Sequence, residues 1–177
     1  MKAKPFELLY PQNRIEAKIR ELGRRISSDY AGKKPVLLGV LKGCFIFMAD
    51  LVRTVTVPVE IDFVWAHSYG DRVDPGQVKL FTGPIVPLKG RHVLLVEGVV
   101  DTGLTAQSIL DSIRRMEPAS VEIVTLLDKR GRREVDLAIK YAGFAVGDDF
   151  VIGYGLDHGE FYRNLPFIGK VIEKQQG

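Results

Sequence analysis

Apolar residues recur at steps of three and four along the first part of the chain. They are Ile15, Ile19, Leu22, Ile26 and Tyr30. This spacing places them on one face of a helix, so the pattern predicts an amphipathic helix that begins near Asn13 and buries that face. Glu16 stands three residues after Asn13, which is the spacing of a capping box at a helix start.

The later segments alternate between strand and helix patterns. Continuous apolar or alternating runs predict strands at 35–41, 59–65, 93–100 and 120–129, at least one more within 140–155, and a last one within 166–173. The segment 44–54 is helix-length and apolar on most sides, which predicts a buried helix. A second apolar stripe predicts a helix that ends at Pro118, and its members are Leu104, Ile109, Leu110, Ile113 and Met116.

Strands and helices that alternate with short connections predict an α/β fold, with a mainly parallel central sheet flanked by helices on both faces. Neither a repeat nor a linker interrupts the 177 residues, so 1–177 is expected to form a single domain. Ligands of such sheets bind beyond the carboxyl ends of the strands. Three turns are expected at that edge, at 42–43, 97–105 and 129–130.

The segment 67–83, HSYGDRVDPGQVKLFTG, interrupts this alternation. Its glycines, its proline and its charged residues oppose regular structure, so a long mobile loop is predicted, and loops of this length are often lids over a site. A projecting β-hairpin is compatible with the same sequence. Both alternatives stay open at this point.

Composition changes this picture little. The net charge of +3 and the pI near 9.0 suit a phosphate-rich ligand but are also an ordinary surface balance. The single cysteine, Cys44, excludes an intramolecular disulfide and is expected to be a buried structural thiol, and the three histidines have no zinc-like spacing. No apolar run approaches the roughly 18 residues that span a bilayer, and the N-terminus lacks a secretion signal, so we expect a cytoplasmic protein.

The strongest chemical signal is the turn in VLLVEGVVDTGLT, residues 93–105. Backbone N–H groups and the dipole at the start of the following helix favour a bound phosphate, and Gly103 lets the backbone approach it without a Cβ. Carboxylates repel a phosphate unless they serve other groups. Glu97 and Asp101 therefore point to sugar hydroxyls, a magnesium ion or a proton in transfer, and a sugar phosphate is the predicted ligand.

A simpler interpretation of this turn remains open. Asp101 could cap the helix, and Glu97 could lie at a solvated strand end. The chain lacks the patterns GxGxxG and GxxxxGK[ST], which argues against loops that bind dinucleotides or nucleoside triphosphates.

The turn resembles the phosphoribosyl-pyrophosphate signature of type I phosphoribosyltransferases. Further segments are similar, in order and spacing, to hypoxanthine-guanine phosphoribosyltransferases: LKGCFIFMADL (41–51), DFVWAHSYG (62–70), LLDKRGRR (126–133) and FVIGYGLDHGEFYRNLPFIGKV (150–171). The resemblance runs from about Ile15 to the end of the chain. It implies the type I phosphoribosyltransferase fold, with a small hood subdomain and a flexible lid loop.

The resemblance also implies a reaction. The ribose 5-phosphate group of phosphoribosyl pyrophosphate passes to hypoxanthine or guanine, which gives IMP or GMP and pyrophosphate, with Mg²⁺ as the cofactor. On the donor side the 5-phosphate cradle comprises Asp101, Thr102, Gly103, Leu104 and Thr105. The pyrophosphate loop comprises Leu41, Lys42 and Gly43, with a cis peptide between the first two. Arg163 contacts pyrophosphate, Glu97 and position 98 face the ribose, and Glu97 and Asp157 bind Mg²⁺.

On the acceptor side, the resemblance implies that Lys129 donates to the 6-oxo oxygen of the purine. Phe150 stacks on the ring, the Val151 backbone meets its edge, and Asp101 acts as the acid/base group near the imidazole nitrogen. A donor facing the 6-oxo oxygen prefers hypoxanthine or guanine over adenine, whose amino group would leave it unmatched.

The lid is implied to carry Ser68 and Tyr69, which close over the reacting centre and keep water out. Each implied role has a plainer alternative. Ser68 and Tyr69 could be ordinary loop residues, Phe150 could be strand core, Lys129 and Arg163 could be solvated surface charges, and Asp157 could be a turn residue before Gly159.

Gly98 departs from the family pattern, which has adjacent Glu and Asp where this chain has Glu97 and Gly98. Losing one charged hydrogen bond costs about 1.5–3 kcal/mol, or roughly ten- to a hundredfold in affinity. We therefore expect weaker binding of phosphoribosyl pyrophosphate with the chemistry retained, because Asp101 remains. His67, where many bacterial relatives carry serine, is a milder departure.

Three functions are compared. The first is an active 6-oxopurine salvage enzyme, which is favoured by the retained residues Lys42, Ser68, Tyr69, Asp101, Lys129 and Arg163. The second is a non-catalytic ligand sensor or RNA-binding regulator, to which Gly98 and the basic run 129–133 lend modest support. The third, an unrelated flavodoxin-like domain, explains only the turn. A solvated loop is the plainer interpretation of 129–133, so no nucleic-acid partner is expected, and family analogy implies a homodimer or homotetramer.

Overall fold

The computed structural model describes residues 5–68, 78–82 and 84–172. The strands are β1 Phe6–Tyr10, β2 Val36–Leu41, β3 Glu60–Ser68, β4 Val78–Thr82, β5 His92–Val100, β6 Ser120–Asp128, β7 Tyr141–Ala145, β8 Val151–Ile152 and β9 Ile168–Val171. The α-helices are α1 Gln12–Asp29, α2 Phe45–Val52 and α3 Leu104–Arg114, and a 3₁₀ turn spans Arg130–Arg132. Each strand predicted from the apolar pattern is present.

The main sheet has the strand order β4-β3-β2-β5-β6-β7. Its strands β3, β2, β5, β6 and β7 run parallel, and β4 joins the edge antiparallel to β3. A second, three-stranded sheet has the order β1-β9-β8 and joins the two ends of the chain. The predicted α/β fold with a mainly parallel central sheet is confirmed.

Helices cover both faces of the main sheet. Leu37 of β2 packs in the cluster that contains the buried faces of α1 and α2, whereas its neighbours Val36 and Leu38 pack in the cluster that contains α3. Both faces of the strand are therefore buried, which is why its sequence is continuously apolar instead of alternating. Cys44 is fully buried in the first cluster, as predicted.

The first helix starts differently from the prediction. Its predicted apolar face is buried, but the helix begins at Gln12 after Pro11, and no side chain caps it. The Pro11 carbonyl accepts from the N–H groups of Arg14 and Ile15 at 3.0 and 3.2 Å. Because Asn13 already lies inside the helix, the predicted capping box is wrong, and Glu16 instead accepts from the Gln12 side chain at 2.9 Å.

The helix α3 is shorter than its predicted apolar stripe. It ends at Arg114, and Glu117 takes a positive φ of 55° before Pro118. Met116 therefore lies beyond the helix and is 37% exposed, while Leu104 at the other end is 36% exposed. Only the middle of the stripe is core.

The segment 67–83 follows the hairpin alternative where it is described. Residues 67 and 68 extend β3, and they pair antiparallel with Lys79 and Val78 of β4. Residues 69–77 and 83 lie outside the described residues, so the predicted lid stays a prediction. None of the helices in the described ranges is long and apolar enough to cross a membrane.

Candidate active site

A cavity of about 240 Å³ opens at the carboxyl ends of β2 and β5. It is lined by the two strand ends, the turn after β5 and the first turn of α3, namely Val40, Leu41, Gly43, Glu97, Val99, Val100, Asp101, Thr102, Gly103, Thr105 and Ala106. Two of the three turns predicted to meet at this edge, 42–43 and 97–105, thus line one cavity. The third turn, 129–130, reaches the cavity through Lys129, whose side chain donates a hydrogen bond to Asp101.

The turn between β5 and α3 presents the positive end of a helix to this cavity. Gly103 is the N-cap of α3 and has a φ of +86°, a left-handed conformation that glycine adopts readily. The N-cap has no side chain, and the Asp101 carboxylate is engaged by cations elsewhere, so the interpretation of Asp101 as a helix cap is wrong. The N–H groups of the first turn of a helix lack intrahelical partners and form an anion site.

Asp101 is paired with two cations. Its Oδ2 accepts a hydrogen bond from Lys129 Nζ at 3.1 Å, and its Oδ1 lies 2.8 Å from Nε of Arg132. The register of β5 on β6 explains the first pair, because Val100 lies opposite Asp128 and the next residue of each strand is therefore adjacent. The side chain of Lys129 is only 6% exposed, so its interpretation as a solvated surface charge is wrong.

The basic run 129–133 is neutralised by two carboxylates. Besides the pairs to Asp101, Arg130 and Arg133 both bind Asp128, at 2.9 and 2.5 Å. Every cation of the run therefore has an acidic partner within the fold. An RNA-binding surface would need these charges to be available to phosphates, and this arrangement weakens that alternative.

Glu97 is the acidic group on the inner wall of the cavity. Burial raises the pKa of Glu97 to about 8. Its carboxylate makes neither a hydrogen bond nor an ion pair to any other described residue. The side chain of Glu97 has intermediate exposure and lines the cavity. Burial, with a smaller contribution from Glu97, raises the pKa of the Cys44 thiol to about 12, which leaves it inert as a nucleophile at neutral pH.

Lys42 and Arg163, the two predicted pyrophosphate contacts, converge on one carboxylate. Glu160 Oε2 lies 2.9 Å from Lys42 Nζ and 3.2 Å from an Arg163 terminal nitrogen. These hydrogen bonds, that of Lys42 first, lower the pKa of Glu160. Glu160 was missed by sequence reasoning, because an acidic residue in an irregular segment carries no signal of its partners. Lys42 and Arg163 bind the same carboxylate although 121 positions separate them in the sequence.

The Asp157 carboxylate binds groups that lie a few residues further along the chain. Its Oδ2 accepts from the backbone N–H of Glu160 at 2.9 Å. Its Oδ1 pairs with Arg163 at 2.8 Å, and Arg163 also donates to the Gly155 carbonyl at 2.9 Å. Arg163 is only 18% exposed and is not a solvated surface charge.

The turn after β2 is packed between two glycines. The peptide between Leu41 and Lys42 is cis, as the resemblance implies. A Cβ on Gly98 would lie 2.5 Å from the carbonyl oxygen of Gly43, and one on Gly155 would lie 2.7 Å from the same atom. Real Cβ contacts are longer than 3.0 Å. Backbone therefore contacts backbone at this wall of the cavity, and Gly98 offers no room for a side chain while Gly43 keeps this position.

On the side predicted for the purine, Phe150 is 47% exposed and precedes the two-residue strand β8, so it is not strand core. Its ring forms a T-shaped pair with the His158 ring, with 5.1 Å between the centroids. Val151 is buried in β8. Ser68 ends β3 and its side chain is not described, and Tyr69 lies outside the described residues, so their roles stay predictions.

The two carboxylates that the resemblance assigns to Mg²⁺ differ in their surroundings, because Asp157 pairs with Arg163 and accepts from the Glu160 N–H, whereas Glu97 lines the cavity. In the described part of the chain, no group of three or more His, Cys, Asp or Glu side chains could hold a metal ion by itself. Mg²⁺ is commonly held by one or two carboxylates together with substrate phosphates and water. Glu97 fits Mg²⁺ in that form, and Asp157 fits it only if its pair with Arg163 opens.

A family model described as the phosphoribosyl transferase domain matches residues 7–158. The chain belongs to this family. Within it, the hypoxanthine phosphoribosyltransferases of Salmonella typhimurium and Escherichia coli (strain K12) are each 44% identical to the chain over 169 residues, which is 94% of this chain and 95% of each relative. Membership of the phosphoribosyl transferase family excludes the unrelated flavodoxin-like alternative.

Solved structures agree with the family assignment. A hypoxanthine-guanine phosphoribosyltransferase from Bacillus anthracis has a TM-score of 0.92 and 40% identity, and the match covers 96% of this chain and 100% of that one. A hypoxanthine phosphoribosyltransferase from Staphylococcus aureus has a TM-score of 0.90 and 40% identity, covering 94% and 91% of the two chains. The predicted type I phosphoribosyltransferase fold is thereby confirmed.

Proposed function

We propose that this phosphoribosyltransferase is a purine salvage enzyme that transfers the 5-phosphoribosyl group of phosphoribosyl pyrophosphate to hypoxanthine or guanine. The pairing of Asp101 with Lys129 at 3.1 Å, beside the start of α3, carries the proposal. It places a carboxylate that can take a proton next to a cation that can recognise a carbonyl oxygen. Both adjoin a site for a terminal phosphate.

On the donor side, the turn 101–105 would hold the 5-phosphate through its backbone N–H groups and the hydroxyls of Thr102 and Thr105. Glu97 would meet the ribose hydroxyls. Lys42 and Arg163 would bind pyrophosphate in place of Glu160, whose carboxylate they share in the free protein. Glu97 and Asp157, the latter released from Arg163, would hold Mg²⁺, which supplies positive charge to the leaving group when bound.

On the acceptor side, Lys129 would donate to the 6-oxo oxygen, Phe150 would stack on the purine, and the Val151 backbone would meet its edge. A ring nitrogen of the purine attacks C1′ of the ribose as the bond from C1′ to the pyrophosphate oxygen breaks, and the bonding electrons leave with pyrophosphate. Asp101 takes the proton that the purine loses. Ser68 and Tyr69 would exclude water from the oxocarbenium-like transition state.

The proposal is tested by steady-state assays with hypoxanthine, guanine, xanthine and adenine, at varied phosphoribosyl pyrophosphate and with Mg²⁺. We expect turnover of hypoxanthine or guanine and little turnover of adenine. Lys129→Gln should reduce that discrimination, and Lys89→Gln, which alters an exposed cation paired with Glu117, is the matched control. If no base gives a nucleotide at millimolar donor, the proposed function is wrong.

We further propose a cytoplasmic homodimer or homotetramer. Alternate residues of β3 share a face of the sheet, and Ile61, Phe63 and Trp65 are 43%, 36% and 38% exposed there. Apolar side chains grouped on a sheet face favour coverage by a second copy. Sedimentation velocity should show an oligomer that Phe63→Glu dissociates, and a monomeric parent protein would contradict this proposal.

A further inference from the structure

Arg133 is a nearly buried cation that the proposed reaction does not use. Its side chain is 14% exposed, and one terminal nitrogen donates to Asp128 Oδ1 at 2.5 Å. The other terminal nitrogen is buried and has no hydrogen-bond partner among the residues described. A buried donor without an acceptor destabilises the folded protein, and more so when it is charged, so this placement requires a physical reason.

The buried nitrogen lies against the turn that precedes α3. The position that a Cβ on Gly103 would take is 3.3 Å from this nitrogen and 2.9 Å from Cδ of Arg133. A side chain at position 103 would therefore displace the arginine. The next residue, Glu134, donates its backbone N–H to the Thr102 carbonyl at 2.9 Å, which joins the segment after the 3₁₀ turn to the same loop. Arg133 thus packs against the turn without lining the cavity.

Two sources of positive charge meet at this turn, the Arg133 guanidinium and the N-terminus of α3. Like charges repel, and Asp128, which is 3% exposed, offsets only part of the repulsion because it is shared with Arg130. An anion bound at the front of the turn would compensate both the helix dipole and the guanidinium. The structure of the free protein therefore favours an anion at this position more strongly than the helix start would by itself.

We propose that Arg133 is a positioning residue for the 5-phosphate of the donor. It holds the turn 101–103 in its binding conformation and adds its charge to that of the helix start. The inference rests on the proposed function, because the donor supplies the anion. Asp128 is followed directly by Lys129, so the same ion pair also joins the phosphate turn to the end of β6 that carries the purine-facing lysine.

Arg130 provides a matched control, since it pairs with the same Asp128 but is 78% exposed. The dissociation constant of ribose 5-phosphate is measured by calorimetry for the parent protein, Arg133→Gln and Arg130→Gln. We expect Arg133→Gln to raise it by about tenfold or more, as for a lost charged interaction, and Arg130→Gln to change it by less than about twofold. Equal effects of the two variants, or no effect of Arg133→Gln, would overturn the inference.

Kinetics distinguish positioning from a general loss of structure. Arg133→Gln should raise the KM for phosphoribosyl pyrophosphate by about the same factor while kcat and the KM for hypoxanthine change by less than about threefold. Equal losses in kcat and in both KM values would overturn a specific phosphate role. If Arg133→Gln does not fold, Arg133→Met, which keeps an apolar stem and removes the charge, replaces it, and a dissociation constant identical to that of the parent would then overturn the inference.

The parent protein separates this inference from the proposed function. If it binds ribose 5-phosphate in an Arg133-dependent way but forms no nucleotide from any base, the proposed reaction fails and the role of Arg133 stands. If it forms nucleotide and Arg133→Gln behaves like the parent, only the inference fails. If the parent does not bind ribose 5-phosphate at all, the inference is overturned.

Discussion

The carbonyl oxygen of Gly43 lies 2.5 Å from the position that a Cβ on Gly98 would take. From the family pattern alone, Gly98 is a missing carboxylate, and Gly98→Asp is expected to strengthen donor binding. The structure gives the position a second role. Its lack of a side chain lets the turn after β2 contact β5, so an added side chain must displace the loop that is proposed to bind pyrophosphate.

We therefore expect Gly98→Ala and Gly98→Asp to raise the KM for phosphoribosyl pyrophosphate and to lower the free energy of unfolding by about 1–3 kcal/mol, as overpacking does. Gly147→Ala is the control, because the nearest atom to its added Cβ is 3.9 Å away. Steady-state kinetics and urea unfolding measure both effects. A lower donor KM in Gly98→Asp would show that the missing carboxylate, and not the contact, governs this site.

Asp101 is expected to be the proton-transfer group. Asp101→Asn keeps an oxygen that can accept from Lys129 but removes the basic carboxylate, so kcat should fall by roughly 10²-fold or more. Asp111→Asn, on the half-exposed face of α3, is the matched control and should leave kcat unchanged. The measurement is kcat for hypoxanthine at saturating donor. A kcat of Asp101→Asn within about threefold of the parent value would remove the proposed role.

Glu97 should make stability depend on pH. Its folded pKa of about 8 exceeds the ordinary value of 4.5, so the folded protein retains a proton that the unfolded chain releases. The stability associated with the protonated Glu97 is fully present below pH 4.5, where the folded and unfolded states both carry the proton. It is lost as the pH rises through about 8, where the folded protein also releases the proton. Glu97→Gln is neutral throughout, so it should exceed the parent in unfolding free energy by about 1–3 kcal/mol near pH 9 and match it near pH 5.

Urea unfolding at several pH values measures this difference. Glu134→Gln, which removes an exposed carboxylate after the 3₁₀ turn, is the control and should parallel the parent. Parallel curves for the parent and Glu97→Gln would mean that Glu97 is ionised in the folded protein at neutral pH.

Tyr141 should contribute to stability without affecting catalysis. It is fully buried at the amino end of β7, the edge opposite the cavity, and its hydroxyl donates to Asp29 at 2.6 Å. Tyr141→Phe removes a hydrogen bond to a charged group and should cost about 1.5–3 kcal/mol, with kcat unchanged. Tyr10→Phe removes an exposed bond of 3.2 Å to a carbonyl and should cost less. Equal losses of unfolding free energy in the two variants would show that the hydrogen bond to Asp29 stabilises the protein no more than the exposed bond of Tyr10 does.

The order and type of most elements could be predicted from the sequence because apolar periodicity reports burial directly, but the largely exposed strand β1 was not predicted. The stripe from Ile15 to Ile26 and the run at 36–41 were sufficient to locate α1 and β2. Helix ends were less certain, because the first N–H groups of α1 are satisfied by the Pro11 carbonyl, where the sequence pattern had suggested the Asn13 side chain.

The turn between β5 and α3 could also be predicted, since a strand end, a glycine and a helix start are local features of one segment. Its partners could not be predicted from spacing or periodicity. Asp101 meets Lys129 because β5 and β6 pair with Val100 opposite Asp128, and Lys42 meets Arg163 through Glu160 because the segment after β8 folds back beside β2. Strand register and chain return depend on the packing of the whole sheet. Local patterns in the chain were therefore enough to predict the main elements and the turn before α3, whereas tertiary packing set which charges surround that turn.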